Sequence, residues 1–132
     1  MALGRIGHEQ QVYFLRGTFN WNDTGIGSGV VLGVLPAGAM ITDIVVVVDT
    51  AFNAGTTNNL LLGTAAAGNQ LATTSDTAAG SAGAKRVTTG LTLAEPTGDQ
   101  AVYVTYTQTG TAASAGKARV SLTYTVNQAL FA

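Results

Sequence analysis

Short stretches of alternating apolar and polar residues recur along this chain and predict β-strands. In the clearest stretch, residues 117–126, apolar side chains and Tyr124 fall on one side, while Arg119 and three hydroxyl residues fall on the other. Residues 100–109 alternate in the same way, and the residues between the two stretches, 110–116, are small and polar. We therefore predict two strands joined as a β-hairpin.

The longest uninterrupted apolar run is Ile-Val-Val-Val-Val at residues 44–48, inside a stretch that spans residues 40–50. Because this run is β-branched and does not alternate, we predict a central strand that is covered on both faces. Further strands are predicted at residues 11–19, 27–35, 59–64 and 86–93. About seven or eight strands suffice for two packed sheets, so the predicted fold class is all-β, a single β-sandwich.

Two segments lack this alternation. Residues 65–84 are almost entirely Ala, Gly, Ser and Thr, with Leu71 as their one large apolar residue. A structureless loop near twenty residues long is unusual in a compact domain. Since such a composition has little to bury, we expect either a mobile loop or an arm that another chain orders. Residues 1–10 present the same alternative, so we divide the chain into an N-terminal arm, residues 1–10, and a β-sandwich domain, residues 11–132.

The amino-acid composition excludes several kinds of site and partner. Charged residues make up 10% of the 132 residues, where roughly a quarter is usual, and the formal net charge is −1. The absence of cysteine excludes disulfides and thiolate metal sites, and a single histidine excludes a multi-histidine zinc site within one chain. With six Lys and Arg in total, we predict no direct binding of nucleic acid. The apolar runs are far shorter than the roughly 18 residues of a membrane span, and the first ten residues lack the apolar region of a secretory signal, so we predict no membrane partner.

One triplet matches a catalytic motif. Asp23-Thr24-Gly25 has the sequence found in aspartic proteases, in which two such carboxylates, one from each half of a dimer, share a proton and activate water. In those enzymes the triplet ends an apolar strand, whereas here the polar residues 20–22 precede it. We therefore favour a polar turn and keep a homodimeric protease that acts through Asp23 as a remote alternative.

The remaining polar motifs are incomplete. His8 and Glu9 begin like a zinc-protease motif, but Val12 stands where the second histidine is required. Asp43 and Asp49 are six residues apart on one strand, which places them on the same face but roughly 20 Å from each other, too far for an acid and base pair. We interpret them as strand-end charges and predict a protein that is not an enzyme and that has no metal and no cofactor.

Aromatic residues provide a further alternative. A glycan- or receptor-binding module could use a groove of aromatic rings, for which the candidates are Tyr13, Trp21, Phe52, Tyr103 and Tyr106. On alternating strands such residues are more often part of a core or an interface, and we favour that interpretation.

A longer block resembles a known family. Residues 35–55 read Leu-Pro-Ala-Gly-Ala-Met-Ile-Thr-Asp-Ile-Val-Val-Val-Val-Asp-Thr-Ala-Phe-Asn-Ala-Gly, and Leu-Leu-Leu-Gly-Thr follows at residues 60–64. This block resembles a stretch common in head decoration, or cement, proteins of tailed bacteriophages, and it also occurs in other phage virion proteins. The resemblance implies a small β-sandwich, often a jelly roll, on the outer capsid surface of the virion. It implies that the chain is made in the host cytoplasm, has the major capsid protein and itself (as a dimer or trimer) as partners, and stabilises the head lattice.

The composition agrees with such a role for an independent reason. A protein that coats a lattice repeats one surface in many copies, and repeated like charge would repel. Threonine keeps strand faces soluble without charge, as we expect for Thr105, Thr107, Thr123 and Thr125. We expect the intermolecular contacts in residues 1–10 and in the loop of residues 65–84 with its flank, where the candidates are Arg5, His8, Glu9, Leu71 and Lys85.

Overall fold

Seven strands form two antiparallel sheets in residues 12–126, the part of the chain that the computed structural model describes. The strands are β1 (Val12–Asn20), β2 (Val30–Leu35), β3 (Ala39–Thr50), β4 (Thr57–Gly63), β5 (Gly83–Arg86), β6 (Gln100–Thr109) and β7 (Lys117–Val126). A single-turn helix, α1, spans Thr74–Thr77, and a 3₁₀ helix spans Thr89–Thr92. The larger sheet has the order β1-β7-β3-β5 and the smaller sheet the order β2-β6-β4.

Alternation along the strands builds the core between the two sheets. In β3 the inward residues Ile44, Val46 and Val48 are at most 2% exposed. They pack in one cluster with inward residues of the other strands, among them Leu60, Leu62, Val102, Val104, Val120 and Leu122. Full burial of each such side chain contributes about 1.5–3 kcal/mol to the stability of the sandwich. The predicted all-β sandwich is confirmed.

The predicted hairpin between β6 and β7 is wrong. β6 pairs with β2 and β4 in the smaller sheet, whereas β7 pairs with β1 and β3 in the larger one. The intervening residues 110–116 cross from one sheet to the other, a distance of about 10 Å, and Gly110 at their start has a φ of 82°. Alternation shows that each strand has one buried face, but it does not identify the neighbouring strand.

The jelly roll remains a prediction. That topology has eight strands in two four-stranded sheets, and the described residues contain seven. At the open edge of β4, an isolated antiparallel bridge joins Leu62 to Ala72. The bridge lies where an eighth strand would extend the smaller sheet.

Two local predictions about strands are also wrong. Only the inner face of β3 is covered by the other sheet, and Val45 and Val47 lie half-buried on its outer face. The strand predicted at residues 86–93 is the end of β5 followed by the 3₁₀ helix. Gly90 in that helix is buried so closely that a Cβ there would lie 2.6 Å from Cδ1 of Ile44, which leaves no room for an ordinary strand residue.

Residues 65–84 are neither a mobile loop nor an arm that needs another chain. Leu71 and Ala72 exchange backbone hydrogen bonds of 3.0–3.1 Å with Leu62 and are fully buried. Farther along, the hydroxyl of Thr77 donates to the carbonyl oxygen of Leu60 at 2.8 Å. One leucine, a few alanines and a hydroxyl that reaches the sheet edge are therefore enough to order the segment. The predicted N-terminal arm, residues 1–10, lies outside the described residues, and the proposed domain boundaries remain predictions.

Candidate functional site

The outward side of the larger sheet carries the two most exposed large apolar side chains of the described residues. Val12 and Phe14 are each 65% exposed and Met40 is 49% exposed. The register of the sheet brings residues of distant strands together, since Arg16 lies opposite Ser121, which in turn lies opposite Val45. We call this surface the outer face and define it by Val12, Phe14, Arg16, Met40, Asp43, Val45, Val47, Asp49, Arg86, Lys117, Arg119, Ser121 and Thr123.

A groove of about 350 Å³ runs across the outer face. Its sides are Val12 and Phe14 from β1 and the two half-buried valines of β3, and its middle is β7. β7 contributes the short side chains of Ser121 and Thr123 there, which leaves a depression between the larger side chains of its two neighbours. A groove lined by exposed and half-buried apolar side chains is a candidate site of contact with another molecule.

Two ion pairs lie beside the groove. The guanidinium of Arg119 donates to both carboxylate oxygens of Asp49, from Nε and Nη2, each at 2.9 Å. This double hydrogen bond keeps the pKa of Asp49 below its usual value and raises the pKa of Arg119. Arg86 lies 3.3 Å from the carboxylate of Asp43. Because both pairs are exposed they add little to stability, and their main effect is to orient the arginines.

The charges of the protein are unevenly distributed. The outer face holds Arg16, Arg86, Lys117 and Arg119, four of the six basic residues, but only two of the seven acidic residues. Its formal charge is therefore +2 in a chain of net charge −1, so the rest of the chain carries −3. The outer face is therefore positively charged, although the net charge of the whole chain is close to zero.

Of the five residues chosen from the sequence as contacts, the two in the described part of the chain, Leu71 and Lys85, lie away from the outer face. Arg5, His8 and Glu9 are outside the described residues. Leu71 is 0% exposed in the core. Lys85 donates from Nζ to the carbonyl oxygens of Ala78, at 3.0 Å, and Ser81, and burial lowers the pKa of this amine. Both residues serve the chain's own fold here, and an intermolecular role for the five candidates remains a prediction.

Sequence reasoning missed the outer face. One signal for it was present, since residues 12–16 alternate as Val, Phe and Arg on the side of β1 opposite Leu15. The strand register that brings this side of β1 next to Arg119 and Val45 depends on segments far apart in the sequence. Local patterns therefore could not predict the surface.

Asp23 lies in a turn, as expected. Its carboxylate accepts hydrogen bonds from the backbone amide of Asn20 at 2.8 Å and from the Asn20 side chain at 3.4 Å. These contacts close the polar turn that follows β1. Within residues 12–126 there is no group of three or more His, Cys, Asp or Glu that could hold a metal ion.

The aromatic residues do not form one groove. Phe52 and Tyr106 are core residues with ring centroids 4.6 Å apart, and the Tyr106 hydroxyl donates to Asn58 at 2.7 Å. Tyr13 stacks on Tyr124 across the β1 and β7 strands. Trp21 packs, partly buried, against the core. None of the helices in the described part of the chain is long and apolar enough to cross a membrane.

Three solved structures contain chains of similar fold. One chain of the cyanophage Pam1 capsid asymmetric unit has a TM-score of 0.69 and 22% identity, with 89% of this chain and 86% of that chain covered. The capsid of Ralstonia phage GP4 gives a TM-score of 0.63 and 21% identity, with coverages of 89% and 84%. The acidic stable capsid structure of Helicobacter pylori bacteriophage KHP30 gives 0.63 and 16%, with 87% of each chain covered. No family model and no curated protein matches the sequence. At these identities the similarity establishes a shared fold.

Proposed function

We propose that this chain is a non-enzymatic structural protein of a bacteriophage virion that binds the outer surface of the capsid and stabilises the head lattice, as a decoration protein does. The observation that carries the proposal is the fold similarity to chains of three phage capsid structures, each covered over 84–87% of its length. Because most of each chain is covered, the similarity extends over the whole sandwich.

Three further features support the proposal. The block at residues 35–55 resembles decoration proteins, the overall charge is low, and the outer face exposes apolar side chains that another surface can bury. We include in the proposal a jelly-roll topology whose eighth strand is reduced to the bridge at Ala72.

The proposed partners are the major capsid protein and further copies of this chain. A copy that contacts two neighbouring lattice subunits ties them together, because one of its two contacts must break, in addition to the contact between the subunits, before the subunits separate. In a symmetric shell the same contact is repeated at every equivalent site, so even a weak contact adds substantially to the strength of the whole head. Residues 1–10, including Arg5, His8 and Glu9, are proposed to take part in these contacts.

Binding to heads assembled without this chain tests the function. Purified chain is added to such heads, and unbound protein is removed by sedimentation. We expect saturable binding, a reconstruction that shows copies at symmetry-related sites on the outer surface, and a higher temperature for release of DNA from the heads. A chain that does not bind, or that a reconstruction of the native particle places inside the shell or in the tail, would contradict the proposal.

A further inference from the structure

We infer that the outer face is the docking surface of this protein, and that its partner is an acidic surface of the capsid lattice protein with a large apolar side chain seated in the groove between Phe14, Val45 and Val47. The inference rests on the proposed function and adds to it the face that binds and the chemistry of the surface that is bound.

The apolar part of the face has the arrangement of an interface centre. Phe14 and Val12 present large apolar surfaces to solvent, and the valines of β3 form the opposite side of the groove. Charged side chains, among them Arg16 and Arg119, surround this centre. Protein interfaces combine an apolar centre, enriched in aromatic residues and arginine, with a polar rim, and the outer face has both parts.

The net positive charge of the outer face indicates the chemistry of its partner. The outer face carries +2, so two copies that paired through this face would bring like charges together. A lattice surface with carboxylates around an apolar side chain is complementary to both the groove and its rim. Nucleic acid is less suitable, because Asp43 and Asp49 and the exposed ring of Phe14 would face its phosphates.

The backbone of the groove is held by the hydrogen bonds of the sheet before binding. Its residues lie on three hydrogen-bonded strands, and the bidentate pair with Asp49 fixes the plane of the Arg119 guanidinium. Asp49 engages two of the five N–H donors of that group, which leaves others for a carboxylate of the partner. Little backbone freedom is lost when such a surface binds, which favours affinity.

Two substitutions on the face and one matched control test the inference. Phe14→Glu places a carboxylate beside the groove, and Arg16→Glu reverses a charge of the rim. Val31→Glu adds the same charge at a 50% exposed valine of β2, in the other sheet. All three positions are exposed, so each variant should keep the circular dichroism spectrum and cooperative melting of the unchanged chain.

We measure the affinity of each full-length variant for heads that lack the protein. Phe14→Glu should weaken binding at least about tenfold and Arg16→Glu several-fold, with a smaller salt dependence for the latter, and Val31→Glu should change it less than about twofold. If the unchanged chain does not bind heads, the proposed function fails and the inference with it. If it binds and all variants bind equally well, the inference alone is overturned. It is also overturned if Phe14→Glu abolishes only self-association in sedimentation experiments, or if Arg16→Glu abolishes only binding to duplex DNA.

Discussion

At the scale of single residues, one hydroxyl group attaches α1 to the edge of the smaller sheet. Thr77 is 0% exposed and donates from Oγ1 to the carbonyl oxygen of Leu60 at 2.8 Å. Thr77→Val keeps the shape of the side chain but removes the donor, so a buried carbonyl loses this partner. We expect the free energy of unfolding, measured by chemical denaturation, to fall by about 1–3 kcal/mol. Thr74→Val, at an exposed position of the same helix, should change it by less than about 0.5 kcal/mol, and equal losses in the two variants would contradict this account.

Asp76 makes the stability of the same segment dependent on pH. Its carboxylate accepts from the backbone amide of Thr73 at 2.9 Å and from the hydroxyl of Thr89 at 2.7 Å, and these bonds hold its pKa below the usual 3.8. Because the folded state has the lower pKa, the ionised group stabilises the fold above the unfolded value, and this stabilisation is lost as the pH falls through the folded value.

The variant Asp76→Asn should therefore be less stable than the unchanged chain at neutral pH. We expect a difference of about 0.5–1 kcal/mol, at the low end for a helix cap because the carboxylate is only partly buried. Thermal unfolding of both chains, measured from neutral pH downward, should show this difference shrink once the pH falls below 3.8. A difference that is constant with pH would show that the charge of Asp76 has no part in it.

At the scale of elements, period-two alternation located most strands closely. The bounds predicted for β6 and β7 are those of the structure, and those of β1 differ by one residue. Alternation failed where burial depends on a distant element. Leu71 is buried because its backbone is hydrogen-bonded to the edge of β4. Gly90 lies within the 3₁₀ helix, at a position where Ile44 and Leu71 occupy the space that a side chain would need. Neither relation is visible within a single segment, because local pattern shows which side of a strand is buried but not what covers it.

The segment after β4 depends on a close approach at Gly63. A Cβ on this residue would lie 2.5 Å from the carbonyl oxygen of Gly68, so Gly63→Ala must displace backbone atoms. We expect a loss of about 1–3 kcal/mol of unfolding free energy in denaturant titrations. Gly80→Ala is the control, since a Cβ there meets nothing within 4 Å, and it should be neutral or stabilise by up to about 1 kcal/mol. If Gly80→Ala lowered the unfolding free energy as much as Gly63→Ala, the effect would come from reduced chain flexibility and not from the close approach at Gly63.

At the scale of the whole molecule, composition predicted a weakly charged protein but not where its charges lie. Arg16, Arg86 and Arg119 are spread over more than 100 residues of sequence, and only the order β1-β7-β3-β5 brings them to one face. The outer face could therefore be recognised only once the topology was known. The all-β class and the expectation of a virion role could be reached from the sequence without it. Thr105 illustrates the same limit, since it was expected on an open strand face but is 1% exposed, with its hydroxyl bonded to the amide of Ala67.

The topology also predicts slow folding. β1 pairs with β7, and β7 with β3, so the larger sheet joins strands that are far apart in sequence. Sandwiches dominated by such pairings fold in milliseconds to seconds, because closing long loops precedes most of the stabilising contacts. Stopped-flow refolding of the full chain should give times in that range. Refolding in microseconds would mean that local structure, for instance around α1, organises the chain first.

The pairing of β1 with β7 has a consequence for synthesis on the ribosome. β1 is the first described strand to be translated, and β7, its partner in the larger sheet, is the last. Until translation has passed Val126, β1 lacks the strand with which its backbone pairs, and a nascent chain with such an unpaired strand is prone to associate with others. The larger sheet can therefore be completed only after β7 has been synthesised, and the nascent chain must be kept from aggregation for the whole time that its ribosome takes to reach the end of β7.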